Sequence, residues 1–72
     1  MSRFDKYIGK VILVKLPNNK RAVYRWIVRK RKDGRIIVRA PKIGVHIREL
    51  ENKQDSDYGK ETLLPEDSKV YV

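Results

Sequence analysis

Between residues 20 and 39 the chain places nine basic side chains: Lys20, Arg21, Arg25, Arg29, Lys30, Arg31, Lys32, Arg35 and Arg39. Only one acid, Asp33, stands among them. The guanidinium group offers a planar fork of donors that fits phosphate oxygens and guanine edges, where an ammonium acts as a point charge. A run of this kind implies chemistry of holding rather than chemistry of turnover, with a polyanion as the object held.

Other chemistries find less support. His46 is the sole histidine and there is no cysteine, so a nucleophile–base pair and a thiolate metal site both lack their parts. Asp55, Asp57 and Glu61 form the one acidic cluster, but the stretch lacks the glycine and the bidentate glutamate of a calcium loop. The glycines do not fall into a phosphate-cradling spacing. The expectation is a protein that is not an enzyme and needs no cofactor or metal.

The charge is unevenly distributed. The 72-residue chain carries a formal +9; residues 1–48 hold 15 basic and 2 acidic side chains, and residues 49–72 hold 3 and 7. One surface is thus suited to a polyanion and another repels it. The start, Met1-Ser2-Arg3, is polar, and the longest apolar run, residues 11–14, is far shorter than the roughly 20 residues that span a bilayer. A cytoplasmic protein, or one associated with nucleoid or ribosome, is expected, making no membrane contact.

The elements that must carry these residues read as β-strands. Residues 7–16 are rich in β-branched side chains and end at the turn residues Pro17-Asn18-Asn19. Residues 21–31 and 35–40 flank Lys32-Asp33-Gly34, the strongest hairpin signal in the chain. A two-residue loop would put Val28 opposite Arg39 and Lys30 opposite Ile37, mixing charge and grease on both faces. A three-residue loop with Gly34 in the left-handed conformation pairs Val28 with Val38, Trp26 with Ala40, Lys30 with Ile36, Arg29 with Ile37 and Arg31 with Arg35. One face then gathers the apolar side chains Tyr24, Trp26, Val28, Ile36, Val38 and Ala40, with Lys30 at its end. Register follows burial, so the second arrangement is preferred. The opposite face gathers Arg25, Arg29, Arg31, Arg35 and Arg39 around Ile27 and Ile37. The like-charged Arg31–Arg35 pair is unfavourable on its own, and a bound phosphate would relieve it.

Residues 45–50 continue the alternation and read as a fourth strand, with a short helix over residues 47–53 as the alternative. Residues 51–60 read as a polar surface loop. Thr62-Leu63-Leu64-Pro65 reads as a short strand, followed by a tight turn and a last strand over residues 69–72 that closes against the first. Together these make a single all-β domain, a small five-stranded SH3-like barrel. An OB-like barrel, or a β-sheet with one short helix, is the alternative architecture.

The function expected is a small basic nucleic-acid-binding protein of low sequence specificity. It contacts the phosphate backbone through the hairpin over residues 21–40, with a footprint of Lys20, Arg21, Arg25, Ile27, Arg29, Lys30, Arg31, Lys32, Arg35, Ile37, Arg39 and Lys42. The partner is DNA, as for a chromatin-like or viral protein, or RNA, as for a ribosomal protein, within a larger nucleoprotein or ribonucleoprotein assembly. An SH3-like protein–protein interaction module with a groove of Tyr24, Trp26 and Tyr58 is the second function class.

Overall fold

A computed structural model describes residues 4–71; Met1, Ser2, Arg3 and Val72, the last of these expected in the final strand, lie outside the described residues. The fold is mostly β, with five antiparallel strands: β1 (Val11–Lys15), β2 (Ala22–Lys30), β3 (Ile36–Pro41), β4 (Tyr58–Leu63) and β5 (Lys69–Tyr71). They form one sheet in the order β4-β3-β2-β1-β5. The last strand does return to the first, Val70 facing Val14. However, β4 and β5 remain as edges, so the sheet is open where a closed barrel was expected. Short 3₁₀ segments at Asp5–Tyr7, Ile47–Asn52 and Asp55–Asp57 complete the chain. Among the described residues no helix is long and apolar enough to cross a membrane.

The β2–β3 hairpin turns through the three-residue loop. Gly34 adopts φ +90°, a conformation that glycine enters without steric cost. The Arg31 amide donates to the Arg35 carbonyl at 2.7 Å, and the Gly34 amide to the Arg31 carbonyl at 3.0 Å. Lys30 faces Ile36 and Arg29 faces Ile37, as the apolar-face argument requires, but the register then shifts: Ile27 faces Val38 and Trp26 faces Arg39. Val28 is the extra residue of a β-bulge, and a bulge reverses the side-chain alternation of everything beyond it. Arg25 and Ile27, expected on the binding face, therefore turn to the core side, while Tyr24 and Trp26, expected in the core, turn to the other.

The core follows from that reversal. Phe4, Ile27, Ile36, Val38 and Leu64 form a buried cluster, with Tyr7, Ile12, Leu16 and Val70 packed against it. Ile27 has no exposed surface at all and Ile37, on the opposite face, keeps only 7%. Neither is available to touch a ligand, which corrects their place in the expected footprint.

Two other expectations change. Residues 45–50 do not form a strand, because β4 occupies the free edge of β3. The alternative, a short helix over residues 47–53, is close to what forms: a 3₁₀ segment Ile47–Asn52 capped by His46, whose Nδ1 accepts from the Arg48 amide at 3.3 Å. Tyr58 and Gly59, read as loop, begin β4 because the Tyr58 ring is buried and its hydroxyl donates to the Leu50 carbonyl at 2.7 Å.

Ile27→Ala should lower stability by about 3 kcal/mol, the usual cost of emptying a fully packed isoleucine site, and Val28→Ala clearly less. Chemical denaturation of the two variants tests the register, since an unbulged strand reverses their order.

Candidate nucleic-acid interface

The residues meant to form one arginine face meet different fates, and Arg39 departs furthest. Its side chain is 14% exposed, and its guanidinium donates to the Gly59 carbonyl at 2.6 Å, Asp55 Oδ1 at 2.5 Å, the Tyr58 carbonyl at 3.0 Å and the Asp55 carbonyl at 3.2 Å. It also lies 5.5 Å from the Trp26 ring centre and 6.0 Å from that of Tyr58, and these two rings meet edge to face at 5.1 Å. A second bulge assembles this group. Arg39 faces Glu61 and Pro41 faces Tyr58, so two steps on β3 match three on β4. The extra β4 residue brings Tyr58 onto the face of Arg39. Burial raises the Tyr58 phenol above its ordinary pKa, with Asp57 adding to the rise and Arg39 opposing it. Arg39 is therefore a fastener between β3 and the segment over residues 55–59, with no donor fork left over for phosphate.

Arg29 is paired but accessible. It makes a two-pronged bond to Glu61, at 2.6 and 2.7 Å, with both side chains about half exposed. The hydrogen bond and the neighbouring charge raise the Arg29 pKa, and the Arg29 hydrogen bond holds the Glu61 carboxyl below its ordinary range. Lys30 reaches Asp5 at 3.4 Å. Arg25, on the core side, donates to the Tyr24 carbonyl at 2.7 Å, and burial lowers its pKa.

The cations left for a ligand lie at the two ends of the sheet. At the hairpin tip Arg31 and Arg35 stand opposite one another beside Lys32. Asp33 is the local acid, 3.5 Å from the Arg31 guanidinium and also accepting from the Arg35 amide at 3.1 Å. Lys32 and Arg35 make no ion pair among the described residues. Lys20 and Arg21 lie in the turn before β2, at the far end of that strand, and Lys42 follows β3 toward the same end. The nine residues of β2 place the two ends roughly 26 Å apart at about 3.3 Å per residue. The expected footprint thus divides into a tip of Arg31, Lys32 and Arg35 and a base of Lys20, Arg21 and Lys42.

Pairing adds Lys15 and Lys69, which face each other directly across β1 and β5. The sequence reading passed over them because their meeting depends on a register between strands some fifty residues apart. Also unanticipated is Ile43, fully exposed beside Gly44. Among the described residues no group of three or more histidine, aspartate or glutamate side chains could hold a metal ion. No protein-family model, curated protein or solved structure matches the chain.

Arg39→Ala should destabilise the fold by about 2 kcal/mol, within the scale for hydrogen bonds to a charged group. Arg39→Lys should not restore it, since an ammonium cannot reproduce the fork or the ring contacts; thermal unfolding of both variants measures this. The Glu61 carboxyl has a lowered pKa in the folded state, so its pair with Arg29 stabilises above the unfolded value, about 4.3. That contribution is lost as pH falls through the lowered folded value. Melting temperatures from pH 6 to pH 3 should fall less steeply in Glu61→Gln than in the wild type.

Proposed function

We propose that the chain is a small basic nucleic-acid-binding protein that grips phosphate backbone with little sequence specificity. The observation that carries this reading is the hairpin tip. Arg31 and Arg35 are held opposite one another by a backbone hydrogen bond, Lys32 stands between them in sequence, and one aspartate is the only acid in the turn. Like charges placed directly across a strand pair destabilise it, and a phosphate between them removes the penalty. The basic group at the other end of β2 supplies a second contact point. An elongated polyanion, DNA or RNA, can reach both; a compact anion cannot.

The architecture is read as SH3-like. The strand order, the antiparallel return of β5 to β1 and the tight turn before β5 support it. The second reading, an SH3-like module that binds a protein segment, draws on the half-exposed Tyr71. Salt separates the two, because phosphate contacts release counterions and apolar peptide docking does not.

Affinity for duplex DNA and for structured RNA should fall with salt at a log–log slope of roughly −3 to −5, at about −0.9 per neutralised phosphate on a duplex. Lys32→Ala combined with Arg35→Ala should make the slope shallower by about 2 and leave the unfolding midpoint unchanged. Binding that is indifferent to salt would remove this reading in favour of the protein-interaction one.

A further inference from the structure

Among the described residues, cover on the sheet face opposite the core lies at one end. There Leu50 of the 3₁₀ segment Ile47–Asn52 is buried and accepts the Tyr58 hydroxyl, and Lys53 Nζ donates to the Gly9 carbonyl at 2.7 Å. The other end carries two cross-strand rows. Leu13 lies opposite both Tyr24 and Tyr71, giving a row Tyr24–Leu13–Tyr71 across β2, β1 and β5. Lys15 lies opposite both Ala22 and Lys69, giving a row Ala22–Lys15–Lys69 beside it. Ile12 and Val70 pack against the core, so alternation puts Leu13 and Tyr71 on the other face. Tyr71 is 50% exposed, while Tyr24 and Leu13 are partly so.

We infer that the Tyr24–Leu13–Tyr71 row is a stacking platform for unpaired bases of a single-stranded nucleic acid, with Lys15 and Lys69 on the adjoining phosphates. The inference rests on the nucleic-acid reading above and adds to it a second surface and a preferred strand state. Three observations converge. Two tyrosines and a leucine present ring and aliphatic surface across two strand spacings, roughly 10 Å, which is wide enough for more than one base. Aromatic faces accept any base, because every base has a π-face. Lys15 and Lys69 form a directly opposed like-charge pair of the same kind as Arg31 and Arg35, and no acid answers either lysine among the described residues. Lys15 Nζ donates to the Leu16 carbonyl at 2.9 Å but meets no carboxylate among the described residues, so an apolar row bordered by lysines lacking a counter-charge matches a ligand with flat apolar bases and regular negative charge. A neutral peptide would leave that charge unanswered. Stacking and phosphate contact do not read the 2′-hydroxyl, so DNA and RNA single strands should bind alike.

The test uses the full chain and three probes: a 12-nucleotide oligo-dT, the same length of oligo-U and a 12-unit abasic strand of equal charge. The wild-type protein should bind oligo-dT and oligo-U within a few-fold of each other and the abasic strand more weakly. Tyr71→Ala, whose ring sits half exposed on an edge strand, should lose about 5- to 100-fold on oligo-dT, the range for one stacked base. It should keep its affinity for duplex DNA and its circular dichroism spectrum, and Tyr71→Phe should retain oligo-dT binding. Equal affinity of the wild type for abasic and normal strands overturns the inference without needing any variant. So does an unchanged oligo-dT affinity in a folded Tyr71→Ala, the result expected if the row serves a protein instead. If Lys32→Ala with Arg35→Ala weakens duplex binding while either of those results is found, the nucleic-acid reading stands and the platform alone is lost. If the wild type binds neither duplex nor single strands, both fall together.

Discussion

The extra residue in β2 governs the distribution of chemistry over this protein. Up to Lys30 and Arg29 the hairpin follows the register set by its three-residue loop. At Val28 the alternation reverses, and the same strand delivers Ile27 to the core and Trp26 to the opposite face. A straight strand would bury Trp26 and present Ile27 among arginines. The second bulge, in β4, makes the matching correction on the far side of β3 by bringing Tyr58 level with Pro41. Both bulges act on one outcome, a cluster of Trp26, Arg39 and Tyr58 on a single face. Bulges that re-aim side chains in this way are a common means of adjusting what a sheet presents.

That cluster explains where the acidic third of the chain goes. Asp55 closes on Arg39 and Glu61 on Arg29, so two of the seven acids after residue 48 are spent on arginines of the sheet. The two arginines best placed on the middle of the sheet are neutralised by residues that follow them by 16 and 32 positions. The division of labour matches the chemistry of the groups. Arg39, with several planar donors and a polarisable face, can satisfy three carbonyls and a carboxylate while lying over two rings. Most of the lysines, compact and strongly hydrated, stay outside.

How much of this was legible depended on the range of the interaction. The hairpin, its loop and the pairs Arg31–Arg35, Lys30–Ile36 and Arg29–Ile37 could be read because turn chemistry and nearby burial decide them. The return of β5 to β1 was also visible as an edge in need of a partner. The bulge was not, because Trp26, Ile27 and Val28 are three consecutive apolar residues. Either parity buries something suitable, and the choice is made by Arg39, Tyr58 and Asp55 from elsewhere in the chain. The segment over residues 45–50 failed for a related reason. Its alternation suited a strand, but β4 had taken the edge of β3 that it would join, and His46 offered a cap for a 3₁₀ turn instead.

The same reasoning bears on why the free charge sits where it does. A domain of this size buries a modest fraction of its surface, so it can tolerate few uncompensated like-charge contacts within the sheet. Those that remain, Arg31 with Arg35, eased by Asp33 beside Arg31, and Lys15 with Lys69, lie at a hairpin end and at an edge strand, where water screens them. Had the middle of the face kept Arg29 and Arg39 unpaired, the repulsion would have fallen on the strands that hold the core together. Neutral in the middle and basic at both ends, the sheet carries its free charge at separated points, the distribution that the proposed contact with a long polyanion requires.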